Sequence, residues 1–310
     1  MKYLYDSYGR PLTHVRVTVT HRCNYSCVYC HGEGEYNTYN NINEMSIYDY
    51  ELIARAIAEL NIRFIKITGG EPLIRDDIGD ILRVFREECS SSELSMVTNG
   101  YFLLDRLEDI VNYVDRVNVS LPSLNRETYT KITGKNGLDR VLRGLERTLD
   151  SGIKVKINTV VTRLNCSEIG ELIDYANNLG VDLNLIELIP LGRGKTVYRG
   201  LHESLDEIET VVKSRATSYY KRSLHNRPVY ILPGGTKVEI VKSYGNPNFC
   251  RGCTRIRITA DGKIKPCLMR DDNLVNIRDV LSDKIPQDSK VTLLIERFKK
   301  ANLLREPFFK

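Results

Sequence analysis

Along the first two thirds of the chain, short β-branched runs alternate with stretches whose apolar residues recur at helical spacing. The runs at 14–20, 63–68, 94–98, 114–121, 154–161 and 182–188 read as strands. Between them, segment 48–60 sets Leu52, Ile53, Ala56, Ile57 and Leu60 on one helical face, and 78–88, 103–112, 138–151 and 168–179 keep the same period. Gly180 stands just past the last of these, where a C-cap glycine belongs. Six strand–helix alternations predict a parallel sheet with helices outside it. Six units fall short of the eight in a closed barrel, so the predicted fold is α/β, an open, partial (β/α)6 TIM-like barrel. A flat doubly wound sheet is the alternative. In both, the chemistry belongs at the C-terminal ends of the strands.

The pattern changes near Gly200. A helical stretch at 204–216 precedes short strand signals at 228–232, 237–241 and 255–259, a turn at Ala260-Asp261-Gly262-Lys263, and helical signals at 277–281 and 291–302. This predicts a division into a barrel, residues 1–200, and a smaller α+β region, residues 201–310, that closes the barrel's open side.

Composition adds constraints. The chain has 310 residues, 42% hydrophobic and 27% charged, as in an ordinary globular protein. A net charge of +5 suits an anionic small molecule, although scattered Lys and Arg are most often solvated surface. Residues 1–12 are polar, and no run approaches the roughly 18 apolar residues that span a bilayer. The expectation is a cytoplasmic protein without a membrane or nucleic-acid partner. Of eight cysteines, six fall into two tight groups, which in such a protein read as metal ligands rather than disulfides. Cys89 and Cys166 stand alone and read as small, at least half-buried apolar residues.

The first group, Cys23, Cys27 and Cys30, has C-x3-C-x2-C spacing in a loop directly after the first strand. Thiolates suit an iron–sulfur cluster or zinc. Three of them leave one iron of a four-iron cluster open to an outside ligand. The amino and carboxylate groups of S-adenosylmethionine fit that vacancy. A zinc loop completed by His21 or His31 is the alternative. Tyr29, just before Cys30, is placed to stack on an adenine. The second strand ends in Thr68-Gly69-Gly70-Glu71-Pro72, where paired glycines permit close backbone approach to a ligand.

Together, the cysteine triad with its aromatic residue and the Gly-Gly-Glu-Pro motif resemble the radical S-adenosylmethionine (radical SAM) superfamily. The resemblance implies one [4Fe-4S] cluster on Cys23, Cys27 and Cys30. It also implies S-adenosylmethionine contacts from Tyr29, Gly70, Glu71, Ser120 and Ile189.

The second group, Cys250, Cys253 and Cys267, again offers three thiolates, with His225 as the nearest upstream imidazole for a zinc reading. On a strand, Arg255 and Arg257 share a face and suit phosphate oxygens. The spacing C-x2-C-T-R-x-R with a third cysteine downstream resembles the molybdenum cofactor biosynthesis protein A family, the GTP 3′,8-cyclases. That resemblance implies a second [4Fe-4S] cluster binding the guanine of GTP. Arg16, Lys66, Lys156, Arg255, the Ile256 backbone and Arg257 are the implied GTP contacts, with Arg193 in second rank. It further implies reductive cleavage of S-adenosylmethionine, hydrogen abstraction from the ribose 3′ carbon and closure onto guanine C8. An external electron donor, a downstream pyranopterin-forming enzyme and a homodimer are the implied partners. Three positions depart from the family pattern: Lys66 replaces the usual Arg, Val97 a frequent Thr, and Ile189 a frequent Met. Many members also end in a Gly-Gly tail that reaches the active site, whereas this sequence ends Arg305-Glu306-Pro307-Phe308-Phe309-Lys310. Either the site works without such a tail, another basic segment takes its place, or the activity differs.

Overall fold

Alternation of buried and half-buried residues along the early strands sets one face against helices and turns the other inward. In the computed structural model, which describes residues 3–35, 44–282 and 284–307, six such strands come first. They are β1 (His14–Thr18), β2 (Phe64–Thr68), β3 (Glu93–Thr98), β4 (Arg116–Ser120), β5 (Lys154–Val161) and β6 (Asp182–Glu187). The connecting helices are α1 (Ile47–Glu59), α2 (Ile78–Glu88), α3 (Leu103–Arg106), α4 (Arg126–Thr133), α5 (Leu138–Asp150) and α6 (Ile169–Asn178). Then follow α7 (Arg193–Leu201), α8 (Asp206–Arg215), β7 (Ser218–Lys221), β8 (Pro228–Ile231), β9 (Lys237–Val241) and α9 (Pro247–Arg251). The last described elements are β10 (Arg255–Ile258), β11 (Lys263–Lys265), β12 (Val275–Asn276), α10 (Arg278–Ser282) and α11 (Gln287–Leu303). Residues 308–310, part of the C-terminal sequence noted above, lie outside the described residues.

Among the described residues twelve strands form one sheet in the order β12-β11-β10-β1-β2-β3-β4-β5-β6-β9-β8-β7. β1 to β6 run parallel to their neighbours, as the strand–helix alternation requires. The sheet is not closed. β9 adds parallel to β6 at one edge, and β10 adds parallel to β1 at the other. The thirteen residues 242–254 therefore cross from one edge to the other. At that crossing His225 donates its backbone N–H to the Gly252 carbonyl (2.6 Å), and its ring stacks on Phe249 at 3.9 Å. The open side of the partial barrel is thus bridged by the segment that carries Cys250 and Cys253.

The core is the outward face of the sheet packed on the helices, for example Val15, Val17, Ile65 and Ile67 with Leu52, Ile53, Ile57, Ile81 and Phe85. Burial of this kind is worth roughly 25 cal/mol per Å² of apolar surface. α1 begins with a capping box between Ser46 and Asp49.

The predicted helix 103–112 is shortened to α3, because beyond Arg106 the chain continues in turns such as Ile110 N–H to Leu107 C=O. α4, α7, α9, β7 and β12 are additions to the predicted elements. α7 starts directly after Gly192, and β7 pairs with β8 at an edge where its four residues are all exposed.

Candidate active site

The loop after β1 carries the first cysteines and is held from behind by the Gly-Gly-Glu-Pro loop after β2. Gly70 N–H bonds the Thr20 carbonyl at 2.7 Å, and Glu71 N–H bonds the Arg22 carbonyl at 2.8 Å. A Cβ on Gly69 would lie 2.6 Å from the Thr20 oxygen, and one on Gly70 would collide with the carbonyls of His21 and Arg22. The glycines are therefore required by the cysteine loop itself.

Glu71 is fully buried and does not line the cavity. Its carboxylate accepts from Thr98 Oγ1 (2.7 Å), the Asn99 N–H (2.7 Å) and the Leu73 N–H (3.1 Å). Burial nevertheless pushes its carboxyl up to about 7 against those hydrogen bonds. Asn99 in turn donates to Asn24 Oδ1 at 2.7 Å. Glu71 thereby ties the ends of β2 and β3 to the cysteine loop.

Cys23, Cys27 and Cys30 line one cavity of about 570 Å³, together with Tyr29, Gly70 and Ser120. Burial is the main cause that raises the Cys27 thiol and lifts Cys23 to about 11; the neighbouring thiols add to it. Ligation there must displace protons. Arg193, ranked second for phosphate, lines this cavity rather than the next one, and its N–H bonds the Cys30 carbonyl at 3.0 Å.

A second cavity, about 230 Å³, opens from the first across a shared wall that includes Arg16, Tyr29, Val97 and Asn158. Cys250, Cys253 and Cys267 line it, as do Arg16, Lys66, Lys156, Arg255, Arg257 and Ile189. Strand register assembles this set. Arg16 of β1 stands opposite Lys66 of β2 and Arg257 of β10, and His14 stands opposite Arg255 and Phe64. Ile256 has its side chain wholly in the core, between the two arginines in sequence but away from them in space. The wall draws as much on β1 to β6 as on residues beyond 200.

The cations are not equivalent. Arg16 donates to Glu33 Oε1 at 2.5 Å, and Arg257 approaches the other Glu33 oxygen at 3.9 Å. Lys156 pairs with Glu239 at 2.8 Å, a carboxylate that also meets Arg227 at 2.8 Å and Arg222 at 3.1 Å. Burial alone would raise Glu239, but Arg227, Lys156 and Arg222 outweigh it and hold the carboxyl at about 2. Among the described residues Lys66 has neither a hydrogen-bonded nor an ionic side-chain partner, and Arg255 has no carboxylate partner, its attractive neighbour being the Cys253 sulfur. Burial first, then Arg116, Arg255, Arg16 and Lys156, holds Lys66 well below the usual lysine range. Arg255 is lowered by burial and then by Arg257, Arg16 and Arg227. Two cations without a carboxylate partner amid further cations make a receptor for a polyanion.

Glu33, Glu239 and the cavity-wall residue His14 were missed by sequence reasoning, and His225, considered there only as a zinc ligand, also lines the cationic cavity. Burial is the main reason that His14 is held neutral, at about 2, with Arg255 next. Only the position of Glu33, three residues beyond Cys30, hinted at a role.

Among the described residues no three His, Cys, Asp or Glu side chains converge tightly enough to enclose a single ion. Each cysteine triad lines a cavity, and thiolate donors in threes suit an iron–sulfur cluster with one iron left to an outside ligand. At Cys253 burial raises the thiol, but Arg305, a backbone hydrogen bond at Arg255, and the charges of Arg10 and Arg255 bring it below its ordinary value. Both donor sets therefore fit a cluster.

An open parallel sheet with a cysteine triad after its first strand, braced by Gly-Gly-Glu-Pro, defines a radical SAM protein, and residues 17–176 match the Radical SAM superfamily. Proteins of this class work with a [4Fe-4S] cluster and S-adenosylmethionine. Residues 181–310 match the Molybdenum Cofactor Synthesis C family. A probable GTP 3′,8-cyclase of Saccharolobus islandicus (strain L.S.2.15 / Lassen #1) is 42% identical over 308 residues, 98% of each chain. One from Metallosphaera sedula is 40% identical, over 98% of this chain and 96% of its own. This chain belongs to the GTP 3′,8-cyclase family. Its fold is shared with Streptococcus suis SuiB, at a TM-score of 0.65 and 17% identity over 96% of this chain and 67% of that one. Among the described residues no helix is long and apolar enough to cross a membrane.

Proposed function

We propose that this chain converts GTP to the 3′,8-cyclised nucleotide, the first step of molybdenum cofactor synthesis. In this reading Cys23, Cys27 and Cys30 hold one [4Fe-4S] cluster, and Cys250, Cys253 and Cys267 hold a second. Residues 1–200 carry the first and residues 201–310 the second. When bound, the first cluster and S-adenosylmethionine supply one-electron sulfonium cleavage and hydrogen-atom abstraction, with an external donor providing the electron.

The chain's own residues bind and orient. Tyr29, Gly70 and Ser120 flank the S-adenosylmethionine cavity, and Ile189 lines the second cavity, near the shared wall. Glu71 acts through Thr98 and Asn99 to fix the loop. Lys66 and Arg255 take phosphate oxygens directly, because no carboxylate among the described residues engages them. Arg16 and Arg257 are oriented toward the same phosphates by Glu33. Lys156 contributes charge while held by Glu239. The base lies toward Cys250, Cys253 and Cys267, which leaves the ribose at the wall between the cavities. Holding the sugar there is the main protein contribution, since a fixed near-attack geometry is worth several kcal/mol.

The observation that carries this reading is the joined pair of cavities, one ringed by the first triad and the other cationic and ringed by the second. The test is anaerobic reconstitution followed by dithionite, S-adenosylmethionine and GTP, with products identified by mass spectrometry. Matched 5′-deoxyadenosine and cyclised GTP are expected. 5′-Deoxyadenosine with GTP unchanged would overturn the substrate and keep the radical chemistry.

A further inference from the structure

Two arginines far apart in sequence converge on the loop of the second cysteine group. Arg10, in the N-terminal turn, donates Nη1–H to the carbonyl of Cys250 at 2.8 Å. Arg305, beyond α11, donates Nη2–H to the carbonyl of Cys253. Both guanidiniums line the cationic cavity. Arg305 is 1% exposed and has three more bonds: to the Arg10 carbonyl (3.3 Å), the Pro11 carbonyl (3.3 Å) and Asn302 Oδ1 (3.0 Å). The buried carboxylate of Asp6 joins the pair. It accepts from Arg10 Nε at 2.7 Å and from the Arg10 N–H at 2.9 Å, and it stands 3.5 Å from Arg305 Nη1. One carboxylate faces two guanidiniums, so the trio carries a net positive charge.

A buried ion network of this cost is not needed to close the sheet, because β10 is already paired on both sides. Its free donors go to the two cysteine carbonyls. Hydrogen bonds behind a ligand orient it, and nearby charge shifts the potential of an iron–sulfur centre.

We infer that Arg10 and Arg305, held by Asp6, are positioning residues for the second cysteine group, setting the Cys250–Cys253 loop and raising the reduction potential of what it binds. This rests on the reading that Cys250, Cys253 and Cys267 hold an iron–sulfur cluster. A positive charge favours the reduced, more negative cluster. Arg305→Met removes that charge and lowers the midpoint potential of the second cluster. Asp6→Asn removes the opposing charge and raises it. Loosened packing alone would not give opposite signs.

The experiment uses the full chain, reconstituted anaerobically, with iron and sulfide analysis and a redox titration followed by electron paramagnetic resonance. The first cluster's signal and the thermal melting curve report on the rest of the fold. Opposite shifts in Arg305→Met and Asp6→Asn, with the first cluster unmoved, are expected. Shifts of the same sign, or none, in fully loaded variants overturn the inference. Should Arg305→Met not fold, Arg305→Lys keeps the charge but loses the fork. It is then expected to hold a near wild-type potential while releasing second-cluster iron to a chelator several-fold faster, and a wild-type release rate overturns the positioning role. If wild type loads only one cluster, and Cys267→Ala loads the same amount, the underlying two-cluster reading has failed instead.

Discussion

Lys66→Met separates the cost of the cationic cavity from its use. In the empty protein the Lys66 ammonium has no partner among the described residues and faces Arg116, Arg255, Arg16 and Lys156. Methionine keeps most of the unbranched stem and removes the charge. The empty variant is therefore expected to match or exceed wild type in urea midpoint. Because folding depresses this lysine, its penalty is full at low pH and fades as pH rises into the ordinary lysine range. The advantage of the methionine variant narrows in the same direction. Binding should move the other way. One charge-assisted hydrogen bond to phosphate is worth about 1.5–3 kcal/mol, so the dissociation constant for inorganic triphosphate should rise roughly 10- to 150-fold. Lys156→Met is the contrast, because its ammonium is already engaged by Glu239 and its loss should fall more on stability than on affinity. A Lys66→Met protein that is less stable when empty and binds triphosphate like wild type would refute the reasoning.

Two further outcomes follow from the same geometry. Glu239→Gln leaves three cations around a neutral amide and should cost roughly 3 kcal/mol at pH 7. That contribution is complete above the ordinary value of 4.5 and is lost as pH falls toward about 2, so urea melts should show the gap between wild type and variant shrinking on acidification. Equal stability at pH 7 would sink the assignment. Gly70→Ala forces a methyl into the carbonyls of His21 and Arg22, an overpacking of about 1–3 kcal/mol concentrated on the first cysteine loop. It should keep native circular dichroism yet lose first-cluster iron to a chelator faster, and wild-type retention would show that the loop yields without cost.

The strands and most helices were legible because each declares itself within a dozen residues, through period 2 or period 3.6. The two cysteine groups were legible for the same reason, since their spacing is local. What stayed hidden is long-range. Lys156 and Glu239 are 83 residues apart, and Arg10 and the Cys250 carbonyl are 240 apart. No local pattern announces such pairs. At Gly69 and Gly70 the freedom of the backbone also serves the neighbouring cysteine loop, a contact with residues some 50 positions away that the motif itself does not announce.

The division of labour among the cations follows from register more than from residue type. Arg16 and Lys66 are direct neighbours on adjacent strands, as are Arg16 and Arg257, yet only Arg16 and Arg257 reach Glu33. One turn after Cys30 supplies that carboxylate, so the loop that carries the first triad also decides which arginines are neutralised. On the far side Glu239, opposite Asn184 in β6, does the same for Lys156, Arg222 and Arg227. Between these two anions Lys66 and Arg255 remain, on the two strands that flank β1, with His14 neutral between them. A polyanion lying across β1 meets both of these charges without first breaking a pair with a carboxylate. The protein therefore keeps the electrostatic penalty of the empty cavity small at most cations and concentrates it at the two that the phosphates relieve.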